Sequence, residues 1–334
     1  MASIYNDLFL RDNLADTGHF PAHGNKAASP DIIPFGRDQI NDPQAFFSGN
    51  FGSDAGKEVV VNENNYIYLR CMNLAAGTEQ GMLHLYHCKP ALISWPCLWQ
   101  NQPLQTIEAA TSLPVNASGE GDIAVGVKPF VMPSALAENG SYSFVGRIVT
   151  LANPNPIPEL NNIPDFAAYV SNNKGMGWRN ISYADHHCPY FIKSVNYDQG
   201  NYGGLMTFLI TCVNIPLGAM VALSCSTPGT APILDLSRTV VQNSERFVIG
   251  ITTEIPANWS SRISYSYWAG DQPLPTDFSI TLSTVYFVQP VHALYKNGQE
   301  KHELGLGYEN HLHDHLYTAT VKGITIGSHT TIGK

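Results

Sequence analysis

The sequence predicts an all-β protein of two tandem antiparallel β-sandwiches, with a short helix after the linker between them and a β C-terminal tail. Three observations carry this. Apolar and polar residues alternate with period two in many short segments, as half-buried strands require. The 28 glycines and 22 prolines fall between those segments, where turns are expected. Charged residues make up only 13% of the chain, against about 25% in an average domain. Asn, Ser, Thr and Tyr take their place, a composition suited to sheets with large contact faces.

In the first half the expected strands are Asp7–Arg11, Val59–Val61, Tyr66–Met72, Met82–His87, Asp122–Val131 and Tyr142–Leu151. Residues 15–29, with Gly18, Pro21 and Gly24, read as an irregular loop or arm. The stretch Tyr66–Met72 alternates cleanly: Ile67, Leu69 and Cys71 fall on one side, Tyr66, Tyr68 and Arg70 on the other. Gly77, in the connection to Met82–His87, suits a hairpin. The expected domains are residues 1–152, a linker at 153–163, a second sandwich at 164–290 and a tail at 291–334. The linker holds Pro154, Pro156 and Pro158, which remove donors that a central strand would need.

After the linker, Phe166, Tyr169 and Val170 share one face at helical spacing, and Gly175 and Gly177 follow. This is the one helix the pattern supports. Its two turns are too short to stand alone. Strands are then expected at Trp178–Tyr183, Tyr190–Tyr197, Leu205–Asn214, Met220–Cys225, Thr239–Gln242, Arg246–Ile251, Arg262–Trp268 and Phe278–Val288. That number suits a sandwich or jelly-roll. Two more, His311–Val321 and Gly323–Ile326, form the tail. The tail either completes the second sandwich or projects as an arm that pairs with a neighbour.

Tyr66, Tyr68, Arg70 and Asn73, followed by Leu85, Tyr86, Trp95, Pro96 and Trp99, match a pattern in which a Tyr-rich strand ending in Arg-x-x-Asn precedes a Trp/Pro loop. Gly146-Arg147-Ile148-Val149 and Gly177-Trp178-Arg179-Asn180-Ile181 echo it. On these residues the chain resembles bacterial tandem Ig-like modules of the CARDB-like kind, found in extracellular and cell-surface proteins. The resemblance implies an Ig-like first sandwich and a structural or interaction role. It implies no reaction and carries no catalytic residues.

Composition excludes several classes. The net charge is −9 and no Lys/Arg cluster occurs, which argues against nucleic acid and against anionic lipid. No window approaches the roughly 18 apolar residues of a membrane span. The N-terminus lacks the basic start and apolar core of a signal peptide. The expectation is synthesis in the cytoplasm, with any release by a route other than Sec. The six cysteines form no CxxC pair and read as reduced thiols, although a Cys71–Cys88 bridge is open if their strands pair.

Three constellations could carry chemistry. His311, His313 and His315 would point to one side of a strand, about 7 Å apart, where neighbouring imidazoles could share Zn²⁺ or Ni²⁺. This is the only cofactor the sequence suggests, and a polar strand face is the plainer reading. Asp185-His186-His187-Cys188 is a second mixed set, but on a strand only His186 and Cys188 would face the same way. Tyr86, Trp95 and Trp99 could stack on a sugar, or could plug the end of a sandwich. A Cys–His pair drawn from Cys88, Cys97, His84 and His87 has no nucleophile elbow around it.

The expected function is therefore non-enzymatic. The protein would present β-sandwich surfaces to other protein, as a homo-oligomer or docked on a larger assembly. A lectin-like module binding glycan, or a host-directed toxin released without a signal peptide, is the alternative. A metal-dependent enzyme using the tail histidines is the third.

Overall fold

The computed structural model describes residues 3–136, 141–225, 234–304 and 321–333. The chain is mostly β, arranged in several antiparallel sheets with few helices. It forms two compact units that interleave in sequence. One holds Met1–Lys89, Ser94–Leu160 and Val170–Asn180, and the other Pro90–Ile93, Asn161–Tyr169 and Ile181–Lys334.

The first unit contains β1 (Ser3–Ile4), β2 (Leu8–Phe9), β3 (His19–Phe20), β4 (Ile32–Pro34), α1 (Pro43–Gly49), β5 (Asn65–Asn73), β6 (Glu79–Cys88), α2 (Pro96–Trp99), β7 (Gln105–Thr106), β8 (Leu113–Ala117), β9 (Ile123–Val125), β10 (Phe130–Met132) and β11 (Ser141–Thr150). β5 is the hub of one sheet, pairing with β2, β4, β9 and β10. β6 belongs to another, between β11 and β8. The expected hairpin of these two strands is thus not formed. Asn73 makes the corner instead: its side chain donates to Gly77 O (2.7 Å) and accepts from Ala75 N (2.8 Å), an Asx-type bend that redirects the chain. Cys71 and Cys88 are free thiols, as are the other four cysteines.

β5 is not half-exposed either. Tyr68 and Arg70 are as completely buried as Leu69 and Cys71. The reason is α1, a helix the alternation pattern does not reveal. Asp42 caps it by accepting from Ala45 N (3.0 Å), and Pro43 opens it, as first-turn prolines do. Phe47 of α1 packs with Ile33, Phe35, Tyr68 and Val125. Arg70 then donates to Phe47 O and Asn50 O (both 3.0 Å), satisfying carbonyls that the helix end leaves open. It also reaches Asp31 Oδ1 (2.9 Å), Pro30 O (3.0 Å) and Ser53 O (2.8 Å). Arg11 binds the same Asp31 carboxylate through Nε and the terminal nitrogen, and its guanidinium lies over the Phe51 ring at 3.5 Å. Two other expectations shift. Val59–Val61 is not a strand, and Asp122–Val131 is divided into β9 and β10.

The second unit holds α3 (Ile163–Asn172, its first residues), β12 (Met176–Ala184, from Ile181), β13 (Tyr190–Asp198), β14 (Gly204–Val213), β15 (Met220–Cys225), β16 (Asp235–Val240), β17 (Arg246–Ile255), β18 (Ser260–Trp268), β19 (Ser279–Val288) and β20 (Lys322–Gly333). One sheet runs β17-β14-β19-β20-β12 and the other β13-β18-β15-β16. Phe191–Phe278 and Tyr197–Phe208 ring contacts join their inner faces.

β20 answers the question of the tail. It lies inside the sheet, antiparallel to β19 and parallel to Ile181–Ala184 of β12. The described part of the tail therefore completes the second sandwich and is no free arm. Gly327 marks how tightly it is held, since a Cβ there would stand 1.6 Å from Leu92 O.

A small polar cluster lies within this core. Tyr265 Oη meets His329 Nδ1 (2.8 Å) and Thr331 Oγ1 (2.5 Å), and Thr331 meets Ser182 Oγ (2.8 Å). Burial, with a smaller push from the Lys193 charge, lowers the His329 imidazole to about 3 from the ordinary 6.5. The fold thus keeps His329 neutral at pH values where the unfolded chain protonates it. Its contribution is complete above pH 6.5 and is lost as pH falls toward 3, at about 1.4 kcal/mol per pH unit. Denaturant midpoints of wild type and His329→Asn should therefore converge as pH drops across that window. Parallel curves would refute this.

Candidate functional site

Tyr86, Trp95 and Trp99 come together, but inside the first unit. All three are buried. Tyr86 of β6 contacts Trp99 of α2 with ring centroids 5.0 Å apart, and Trp99 Nε1 donates to Ser94 O (3.0 Å). With the indole N–H satisfied and the rings enclosed, the group is a plug, and no ring face is open to a sugar. The expected stacking platform is not here. His311, His313 and His315 lie outside the described residues.

Of the cysteine–histidine candidates, Cys88, His84 and His87 are half-buried in β6 and Cys97 is exposed. Burial pushes the Cys88 thiol up to about 11 and lowers both His84 and His87 below the ordinary histidine range. A thiol held protonated is a poor nucleophile.

Asp185, His186 and His187 do converge. Their ligating atoms all lie within 4.8 Å of one another. The strand rule fails because the segment is a turn, closed by Cys188 N donating to Asp185 O (3.0 Å). His187 N donates to Asp185 Oδ1 (2.9 Å), and His187 Nδ1 stands 3.2 Å from the same oxygen. These hydrogen bonds draw the Asp185 carboxyl below its usual range. Asp185 and His187 are exposed, so the turn as it stands is a surface feature already satisfied by its own contacts.

An apolar row lies on the outer face of the β13-β18-β15-β16 sheet. Cross-strand register puts Tyr190 opposite Trp268, Trp268 opposite Met220, and Met220 opposite Val240. Residues directly opposite share a face, so these four form one apolar row across the sheet. Ile192 follows in the next row, opposite Ser266. Tyr190, Ile192 and Val240 are 43%, 51% and 48% exposed. The Tyr190 and Trp268 rings stack at a tilt, 5.3 Å apart, and Arg238 lies 4.1 Å over the Trp268 ring. Beyond the apolar row the face flattens into short side chains, with Ser194, Ser264 and Ser224 aligned and Ser194 Oγ bonded to Ser264 Oγ at 2.7 Å.

Sequence reasoning put Trp268 in a strand but not in a site. The signal was its phase: Ile263, Tyr265 and Tyr267 are buried, so Trp268 had to point the other way. Its neighbours Met220 and Val240 come from distant segments, which only strand pairing brings together.

No protein-family model matches the chain, and no curated protein matches it. Among solved structures it is similar to red sea bream transglutaminase, at 9% identity and a TM-score of 0.22, over 68% of this chain and 28% of that one. It is also similar to the tandem CBM22-1–CBM22-2 domain of Paenibacillus barcinonensis Xyn10C, at 13% identity and a TM-score of 0.19, over 64% of this chain and 73% of that one. The chain thus spans well under half of the transglutaminase, and likenesses this slight identify neither a family nor an activity.

Proposed function

We propose that this is a non-catalytic interaction protein that works through a β-sandwich face, and that the partner on that face is a second copy of the chain. The row Tyr190–Trp268–Met220–Val240 carries the reading. It is apolar and partly aromatic, and aromatics with Met are enriched where proteins meet. The row of Ser194, Ser264 and Ser224 beyond it is short enough for another flat sheet to approach. A face of this kind can pack on itself about a twofold axis, bringing row against row. The low charge density of the chain leaves little to oppose it. Added salt screens the net charge of −9 further, so association should strengthen with ionic strength. Membership among bacterial CARDB-like tandem modules belongs to the same proposal and rests on the motif residues alone.

Light scattering tests it. Wild type should be oligomeric, and Ile192→Lys with Tyr190→Ser should be monomeric with an unchanged circular dichroism spectrum. A monomeric wild type at high concentration refutes self-association. A second reading, glycan binding, is favoured by the tilted Tyr190–Trp268 ring pair, in which Tyr190 is exposed and Trp268 half-buried, since aromatic rings suit sugar faces. It predicts glycan-array binding by wild type that Trp268→Ala abolishes.

A further inference from the structure

The first unit encloses a second, unrelated cluster: two lysines and two aspartates with almost no access to solvent. Asp12, Lys26 and Lys174 side chains are 3% exposed or less, and Asp16 is 7% exposed. Burying four charged groups together is costly unless each is paired and hydrogen-bonded. Here the pairing is unequal. Asp16 is fully engaged: its carboxylate accepts from Lys174 Nζ at 2.6 Å and from the backbone N–H groups of Asp12 and Gly18, both at 3.0 Å. Neither Asp12 carboxylate oxygen makes a hydrogen bond among the described residues, and neither does Lys26 Nζ. These two groups face each other, with Lys26 Nζ 3.8 Å from Asp12 Oδ2. That is too long for a hydrogen bond.

We propose that Lys26 and Asp12 are joined by an intramolecular amide between Nζ and Cγ. The reaction is a condensation in which the uncharged Lys26 amine attacks the Asp12 carboxyl carbon. The N–C bond forms and the C–OH bond breaks. The departing hydroxyl takes one amine proton and leaves as water, so nothing is oxidised or reduced and no co-reactant is needed. The surroundings favour each requirement. Lys174 Nζ stands 3.7 Å from Asp12 Oδ2, where its positive charge, anchored by Asp16, stabilises the oxyanion of the tetrahedral intermediate. Burial, partly offset by the neighbouring opposite charges, raises the Asp12 carboxyl above the usual range and lowers the Lys26 amine below its own, so the neutral partners are accessible near neutral pH. The unpaired atoms disappear as charges in the product, which removes the cost of keeping them buried.

The full chain needs no mutation to be tested. Its mass under denaturing conditions should be lower than the sequence mass by one water. Trypsin should fail to cut after Lys26, leaving the segment Asp12–Arg37 as one peptide that is one water light. Lys26→Arg keeps the charge but cannot form the bond, and should return to its full sequence mass. Lys174→Met should leave a fraction of the chain unlinked. A wild-type mass equal to the sequence mass overturns the proposal, as does a water lost at any other pair of residues. The oligomeric state plays no part in this readout, so it stands or falls separately from the self-association reading.

Discussion

A chain truncated before Lys322 should fail to form its second sandwich. β20 pairs with β19 from Ser279↔Ile332 to Val288↔Lys322, and with β12 from Ile181↔Thr330 to Ala184↔Gly333. Its removal unpairs both neighbours in the middle of a sheet and empties the core of Ile324 and Ile326. It also strips the Tyr265 hydroxyl of His329 and Thr331. Each large core side chain lost costs about 2–5 kcal/mol, and a domain's whole stability is about 5–15 kcal/mol. The expected result is loss of the near-ultraviolet circular dichroism from Trp259 and Trp268 and of one cooperative unfolding transition. A truncated chain that keeps both would mean that the tail is dispensable.

The second large effect is expected at Asp31. Asp31→Ala would leave the Arg11 and Arg70 guanidinium groups in the core without their shared carboxylate. Removing one member of a buried ion pair costs about 3–5 kcal/mol, because the remaining charge stays buried. Arg70 would keep its carbonyl partners on Phe47, Asn50, Pro30 and Ser53, which holds the loss toward the lower end. Urea unfolding should report it as a lower midpoint. A change below about 1 kcal/mol would mean that Asp31 is incidental to the core.

Asp31 and Arg70 also mark where sequence reading stops. Alternation along Tyr66–Met72 identified β5 and divided its side chains correctly between two faces. It could not say that both faces are covered, because the cover, α1, is only seven residues long, too short to show a readable helical period. The cap Asp42 and the following Pro43 were the available signal. A hairpin was expected from proximity in sequence and the glycine between. The Asn73 side chain sends the chain to the other sheet instead. In the same way, Tyr86, Trp95 and Trp99 could be grouped from the sequence, but their enclosure could not be. The Asp185–His187 cluster exists only because the segment is a turn, where strand geometry does not apply.

By itself the sequence determined the fold class, most strand positions and the short helix at Ile163–Asn172. These follow from local rules: a period-two repeat puts alternate side chains on opposite faces, and proline and glycine end the repeat. The tertiary structure alone decided strand order, the insertion of β20 between β19 and β12, the burial of Arg70 and the assembly of the Tyr190–Trp268–Met220–Val240 row. Each depends on which segments pair across long loops, and pairing is set by the summed packing of both faces, a quantity no short window of residues contains.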